Sequence, residues 1–359
     1  MRAFIVLLFG LAAHGQKSPP FEREYQYHLN ELAVPRAASD EPFIGKFSPR
    51  KALDYLEKGA LVWVRQAGCV SCHTAGTYML VRPQLARFGP PSAEVRDFFV
   101  RQLDFFDTKP PEWFKAANPQ QVIYTAAGLA EYDARVGGKL SEPTARAIEK
   151  MLSVQLASGT WEHDNCWPPL ESSGFHAATI AARAIAVAPG WLERQHTDGI
   201  RQAVERLTRY LRGNNSQNDY DRVSLLWTAA QMPDLIDKHR RGELVEMVRG
   251  RQNKDGGWSL RTFAKPEEWG RGNRVDRLRA EPEFTAPASD GHMTGLALLA
   301  LLDNGVSPKD ATVRRGIRWL RANQRESGRW WTRSLNTDKW NYITYSGSAY
   351  ALLALEKGR

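Results

Sequence analysis

The chain has 359 residues, 42% of them hydrophobic, enough for one large helical domain or two smaller ones. It carries 49 Lys+Arg against 40 Asp+Glu, a formal net charge of +9 spread diffusely and rich in arginine. No nucleic-acid module accompanies that charge, so nucleic-acid binding is excluded, and a basic face for an acidic redox partner or peripheral contact with a membrane remains.

Residues 1–15 read as a secretory signal peptide. Arg2 supplies the positive start, Ala3 to Ala13 an apolar run, and Ala13-His14-Gly15 the small residues before a cleavage site. The run is about half of the roughly 20 residues needed to span a bilayer. The expected location is therefore secreted or periplasmic. Residues 16–47 are rich in Pro, Glu and Ala without clear periodicity and read as an N-terminal arm.

Beyond the arm, a helix ending in Leu61-Val62-Trp63-Val64-Arg65-Gln66 runs into Cys69-Val70-Ser71-Cys72-His73. C-x-x-C-H in an exported chain is the attachment signature of a c-type haem. Cys69 and Cys72 would form thioethers to the porphyrin vinyl groups, and His73 would be the proximal iron ligand. Candidate distal ligands are His176, His292 and Met79, and five-coordinate iron is equally compatible. His163 is a weaker choice. Arg82 and Arg87 are candidates to pair with the propionates. Of the three cysteines, Cys166 is left over and reads as a small buried hydrophobe.

The rest of the chain repeats. Ile200, Ala203, Val204, Leu207 and Leu211 form one apolar stripe of an amphipathic helix. Such helices alternate with small, wholly apolar ones such as Thr294 to Leu302, through loops carrying Gln or Asn, Gly and Trp. A helix apolar on all sides must lie inside something, so two concentric layers are expected. Six units can be traced, the first running into the CxxCH loop and the last comprising Ala311–Gln324 and Gly347–Leu355.

Gln252-Asn253-Lys254-Asp255-Gly256-Gly257-Trp258 resembles the QW repeat of squalene and oxidosqualene cyclases and the related prenyltransferases. Gln155 through Trp161 and Gln324 through Trp330 are variants of it. The resemblance covers roughly residues 50 to 356 and implies an all-α (α/α)6 toroid over residues 48–359, with CxxCH built into its first hairpin. It does not carry the chemistry across. The segment matching the acidic D-x-D-D of the cyclases, Ala288-Ser289-Asp290-Gly291-His292, holds a single carboxylate that reads as a helix N-cap. A prenyltransferase-like zinc set of Asp290, His292 and Cys166 has no spacing that requires it. The leading expectation is an exported toroid with one covalent haem c, acting in electron transfer or haem-based redox chemistry. A redox partner protein, or a small apolar molecule in the toroid cavity, would be its counterpart. The alternative is a cyclase-like enzyme or a lipid- or isoprenoid-binding toroid, with CxxCH as a disulfide or metal site.

Overall fold

The computed structural model describes residues 24–359 apart from 165–167, 172, 195, 214, 271 and 338–339. The expected signal peptide, residues 1–15, and Cys166 lie outside the described residues.

The arm holds more structure than its composition suggested. Strands β1 (Tyr25–Leu29) and β2 (Leu32–Pro35) form an antiparallel hairpin packed on α1 (Pro49–Gln66). After the CxxCH segment come a π-helical turn (Cys72–Gly76) and the short α2 (Thr77–Val81). Then follow α3 (Ala93–Asp107), α4 (Asn118–Tyr132), α5 (Glu142–Ser153), α6 (Gly174–Val187), α7 (Asp198–Arg212) and α8 (Asp219–Ala229). The chain continues through α9 (Lys238–Gly250), two short loop helices α10 (Val275–Arg279) and α11 (Pro282–Thr285), α12 (Gly291–Asp303), α13 (Ala311–Ala322) and α14 (Ile343–Lys357).

Packing sorts these helices into two layers. The helices α2, α4, α6, α8, α12 and α14 touch in that order, and α14 closes back on α2, making a ring. Around it, α1, α3, α5, α7, α9 and α13 each present one apolar stripe inward. On α7 that stripe is Ala203, Leu207 and Leu211, and the opposite face is Arg- and Glu-rich. The protein is thus an all-α toroid.

The Gln–Gly–Trp loops lock neighbouring hairpins by one repeated device. The Gln155 amide donates to Gly159 O and Ala203 O, that of Gln252 to Gly256 O and Thr312 O, and that of Gln324 to Gly328 O and Ser48 O. Each amide therefore ties its own turn to another outer helix. The indoles of Trp161, Trp258 and Trp330 donate to Met151 O, Val248 O and Leu320 O at 2.7–2.8 Å, pinning each turn to the helix before it. Gly159, Gly256 and Gly328 have φ of +94°, +96° and +95°, and a Cβ on them would lie 2.3–2.9 Å from the carbonyls of Arg206, Arg315 and Lys51. Only glycine suits such a position. Because Ser48 and Lys51 begin α1, the third loop joins the end of the chain to its start.

The CxxCH segment follows α1 as those loops follow their outer helices, but it does not dock in their way. Gly68 has φ of +65° and open space around its Cα. The link to the next outer helix is instead an exposed Arg65–Glu94 pair.

Candidate functional site

The inner helices begin at one end of the ring, and their first turns bring the predicted residues together. Ser173, Asn218 and Asp290 are N-caps whose side chains accept from His176, Asp221 and Met293 N–H. Those caps set the rotation of α6, α8 and α12, and with it the inward aim of His176, Tyr220 and His292.

A belt of hydrogen bonds then crosses the ring. His176 Nε2 lies 3.4 Å from the Tyr124 hydroxyl and its Nδ1 3.5 Å from Ser224 Oγ. His292 Nε2 lies 3.0 Å from the Tyr220 hydroxyl and its Nδ1 3.1 Å from Ser346 Oγ. Both serines give their hydroxyl hydrogens to backbone carbonyls, of Tyr220 and Ile343. Each histidine therefore donates from Nδ1 to its serine, and in the neutral form accepts the tyrosine proton at Nε2. Burial favours that form, pulling His176 down to about 4 and His292, aided by the nearby His176, down to about 3. Tyr124, Tyr220, Trp227, Tyr350 and both histidines are 0–2% exposed, and Trp227 meets Tyr350 edge-on at 5.6 Å. Within the inner ring His176 and His292 both meet Tyr220, and His292 meets Tyr350 at 5.2 Å.

The CxxCH segment lies against this belt. Cys72 Sγ donates to Glu171 Oε1 at 3.5 Å, and its position perturbs Tyr124, Tyr220 and Tyr350, so it is turned toward the axis. Burial pushes the Cys69 thiol up to about 11, with the Glu171 charge acting in the same direction. The Trp63 indole donates to Cys69 O at 3.0 Å. His73 stacks on Tyr342 (4.6 Å between centroids, 8° between planes) and meets the Trp63 ring edge-on at 4.8 Å. Its Nδ1 lies 2.8 Å from Thr74 Oγ1, which also meets the Tyr27 hydroxyl at 2.8 Å. Burial pulls the His73 imidazole down to about 3.

As a donor set, two thiols and a neutral imidazole suit haem c. As packing they do not. Cys72 is 1% exposed, His73 8%, and Trp63 and Tyr342 4% each. A porphyrin bonded to Cys72 and standing edge-on to the His73 imidazole would have to displace the indole or the phenol, so these residues do not fit the group as packed. The distal candidates are also committed elsewhere. Both nitrogens of His176 and of His292 are taken by the belt, and Met79 packs beside Gly128 of α4. Arg82 is buried on Glu57 and the carbonyls of Phe88, Gly89 and Pro90, and Arg87 pairs with Glu356. Neither arginine is left over for propionates.

Asp290 is likewise consumed by structure. Its Oδ1 accepts from Met293 N–H at 2.9 Å and its Oδ2 from Leu260 N–H at 2.6 Å, with the Thr332 hydroxyl at 3.4 Å. Burial raises its pKa while those bonds pull it back. Among the described residues no three His, Cys, Asp or Glu side chains gather as a metal would need, and Cys166 of the zinc set is not among them. Sequence reasoning missed Glu171, Trp63, Tyr342 and the tyrosines of the belt, none of which stands in a local motif.

Beside the first turn of α8 opens a groove of about 380 Å³. Arg222, Arg251, Arg261 and Lys265 line it against only two carboxylates, Asp219 and Glu268, with Phe263 and Phe284 as its apolar wall. Asp219 pairs with both Arg222 and Arg251, and Arg261 with Glu281 at 2.6 Å. Burial lowers the Arg251 pKa, against the raising effect of the Glu268 charge.

Comparison with known proteins finds one family model and several solved structures. Residues 224–357 match the squalene-hopene cyclase C-terminal domain. The type II terpene cyclase MstE from Scytonema, without ligand, aligns with a TM-score of 0.47 at 13% identity, covering 86% of this chain and 99% of that one. A variant of it in complex with geranylgeranyl dihydroxybenzoate gives 0.45 at 14% identity over 86% and 98%. At these scores the likeness says nothing about activity. No curated protein matches.

Proposed function

We propose that this chain is an exported binding toroid that does not cyclise polyenes, and that its ligand is an anionic amphiphile of isoprenoid type taken up in the groove beside α8. The observation that carries the reading is Asp290: at the place where a cyclase needs a proton donor, both carboxylate oxygens accept backbone N–H groups. A carboxyl held so is an N-cap and not a general acid. The surroundings of His292 support the same conclusion, because its two ring nitrogens bond Tyr220 and Ser346 inside the ring of helices and leave it no part in protonating a polyene.

The groove has the chemistry for such a ligand. Arg222 and Arg251 share the single carboxylate of Asp219, and with Lys265 they suit a phosphate or carboxylate head, while Phe263 and Phe284 suit a hydrocarbon tail. The match of the C-terminal third to a polyene-cyclase domain supports the choice of an isoprenoid tail.

Titration calorimetry with farnesyl phosphate and farnesol tests this. Farnesyl phosphate should bind, more weakly as salt rises, and should lose about tenfold in affinity in Lys265→Ala. Equal binding of the neutral alcohol, or cyclised products from squalene, would defeat the reading. Electron transfer through covalent haem is the competing function, and it requires the packed CxxCH segment to open.

A further inference from the structure

We infer that the Cys69–His73 segment of this chain is the joint that closes the toroid, and that the folded protein carries no haem on it. Cys72, His73 and the adjoining Thr74 tie down different parts of the molecule, and Ser71 holds the turn that carries them. Ser71 caps the π-helical turn through Thr74 N–H, and its carbonyl accepts from Gly76 N–H at 2.7 Å. Cys72 holds Glu171 in the loop before α6, while its carbonyl accepts the Thr77 hydroxyl of α2 at 2.6 Å. His73 fills the space between Trp63 of α1 and Tyr342 at the entry to α14. Thr74 meets Tyr27 of the arm. The first hairpin, the last inner helix, the arm and the α6 entry therefore converge on the four consecutive residues Ser71 to Thr74.

That convergence explains the packing better than a prosthetic group does. Trp63 and Tyr342 meet each other edge-on at 5.6 Å as well as meeting His73, and Tyr27 meets Tyr342 at 5.8 Å, so the imidazole is one ring of an aromatic cluster shared by α1, the arm and the entry to α14. A haem on His73 would have to part the imidazole from Trp63 or Tyr342, one of several contacts, with Tyr345 O–H to Leu56 O, that join the start of α14 to α1. Cys72 is consistent with the same role, buried as a small side chain whose thiol bonds Glu171.

The test uses the full chain, exported from cells that contain cytochrome c maturation machinery and also make a known c-type cytochrome as internal control. We expect no pyridine haemochrome and an intact mass without haem, while the control cytochrome is fully loaded. A covalent haem spectrum lost in Cys69→Ala/Cys72→Ala would overturn the inference. A second measurement separates packing from ligation: His73→Phe preserves an aromatic ring and should melt within about 4 °C of the parent, whereas His73→Ala should melt at least twice as far below it. Failure of His73→Phe to fold, with His73→Ala unaffected, would remove the joint role even in a haem-free protein.

Discussion

Single side chains decide whether the repeat can form. Gly328 and Gly305 both adopt left-handed backbone, with φ of +95° and +84°, yet a Cβ on Gly328 would meet Lys51 O at 2.3 Å and one on Gly305 would meet nothing. Both alanine variants carry the backbone strain, so Gly305→Ala should cost about 1 kcal/mol and Gly328→Ala at least about 3 kcal/mol in urea unfolding. Equal costs would show that the loop does not press on α1. The buried histidines give a second residue-scale prediction. His73, His176 and His292 have folded values of about 3, 4 and 3, below the ordinary 6.5. The unfolded chain therefore binds more protons on falling through pH 6.5, and the stability these groups contribute is full above that point and lost as acid is added. Asp221 works in the opposite sense, because burial raises it to about 6 and the folded state takes up its proton before the unfolded one. Three histidines against one carboxyl leave a net loss, so the urea midpoint should fall between pH 7 and pH 5. His176→Gln should flatten that slope by about one proton, and an unchanged slope would place His176 in contact with water.

Elements show what was legible in the sequence. The outer helices stood out because their stripes repeat every 3.6 residues, and the inner ones because they are apolar on every side. The arm did not, because strands β1 and β2 are five and four residues long and lie among prolines and charges. The CxxCH motif was the most visible feature of the chain, but its environment is set by Glu171 and Tyr342, far along the sequence, which no local pattern announces. The arm proves to be a fastener. Glu41 accepts from Arg329 Nε at 2.6 Å and from Ser327 N–H at 2.8 Å, while Arg329 also donates to Pro35 O and Arg36 O. Glu41→Gln should cost about 3 kcal/mol, since it leaves a nearly buried guanidinium without its counter-charge. Hydrogen exchange should speed up at Ile44 and Glu326, whose N–H groups bond across this contact, and stay unchanged within α4.

At the scale of the molecule, closure is the property that distinguishes this toroid from an open stack of helical pairs. In an open stack each hairpin touches only its neighbours and the ends fray independently. Here α14 packs on α1 and α2, and Gln324 bonds Ser48 as Gln252 bonds Thr312. Unfolding should therefore be one cooperative transition, with calorimetric and van't Hoff enthalpies equal, and Gln324→Ala should broaden it more than Gln155→Ala does. A ring fastened to itself also has no privileged cut. If the exposed segment around Leu192–Arg194 is nicked by trypsin, the two arcs still meet at both of their ends, and each contact holds the other at high local concentration. The nicked halves should co-elute as one particle and separate only in denaturant, and separately made fragments broken at that point should reassemble into the intact circle.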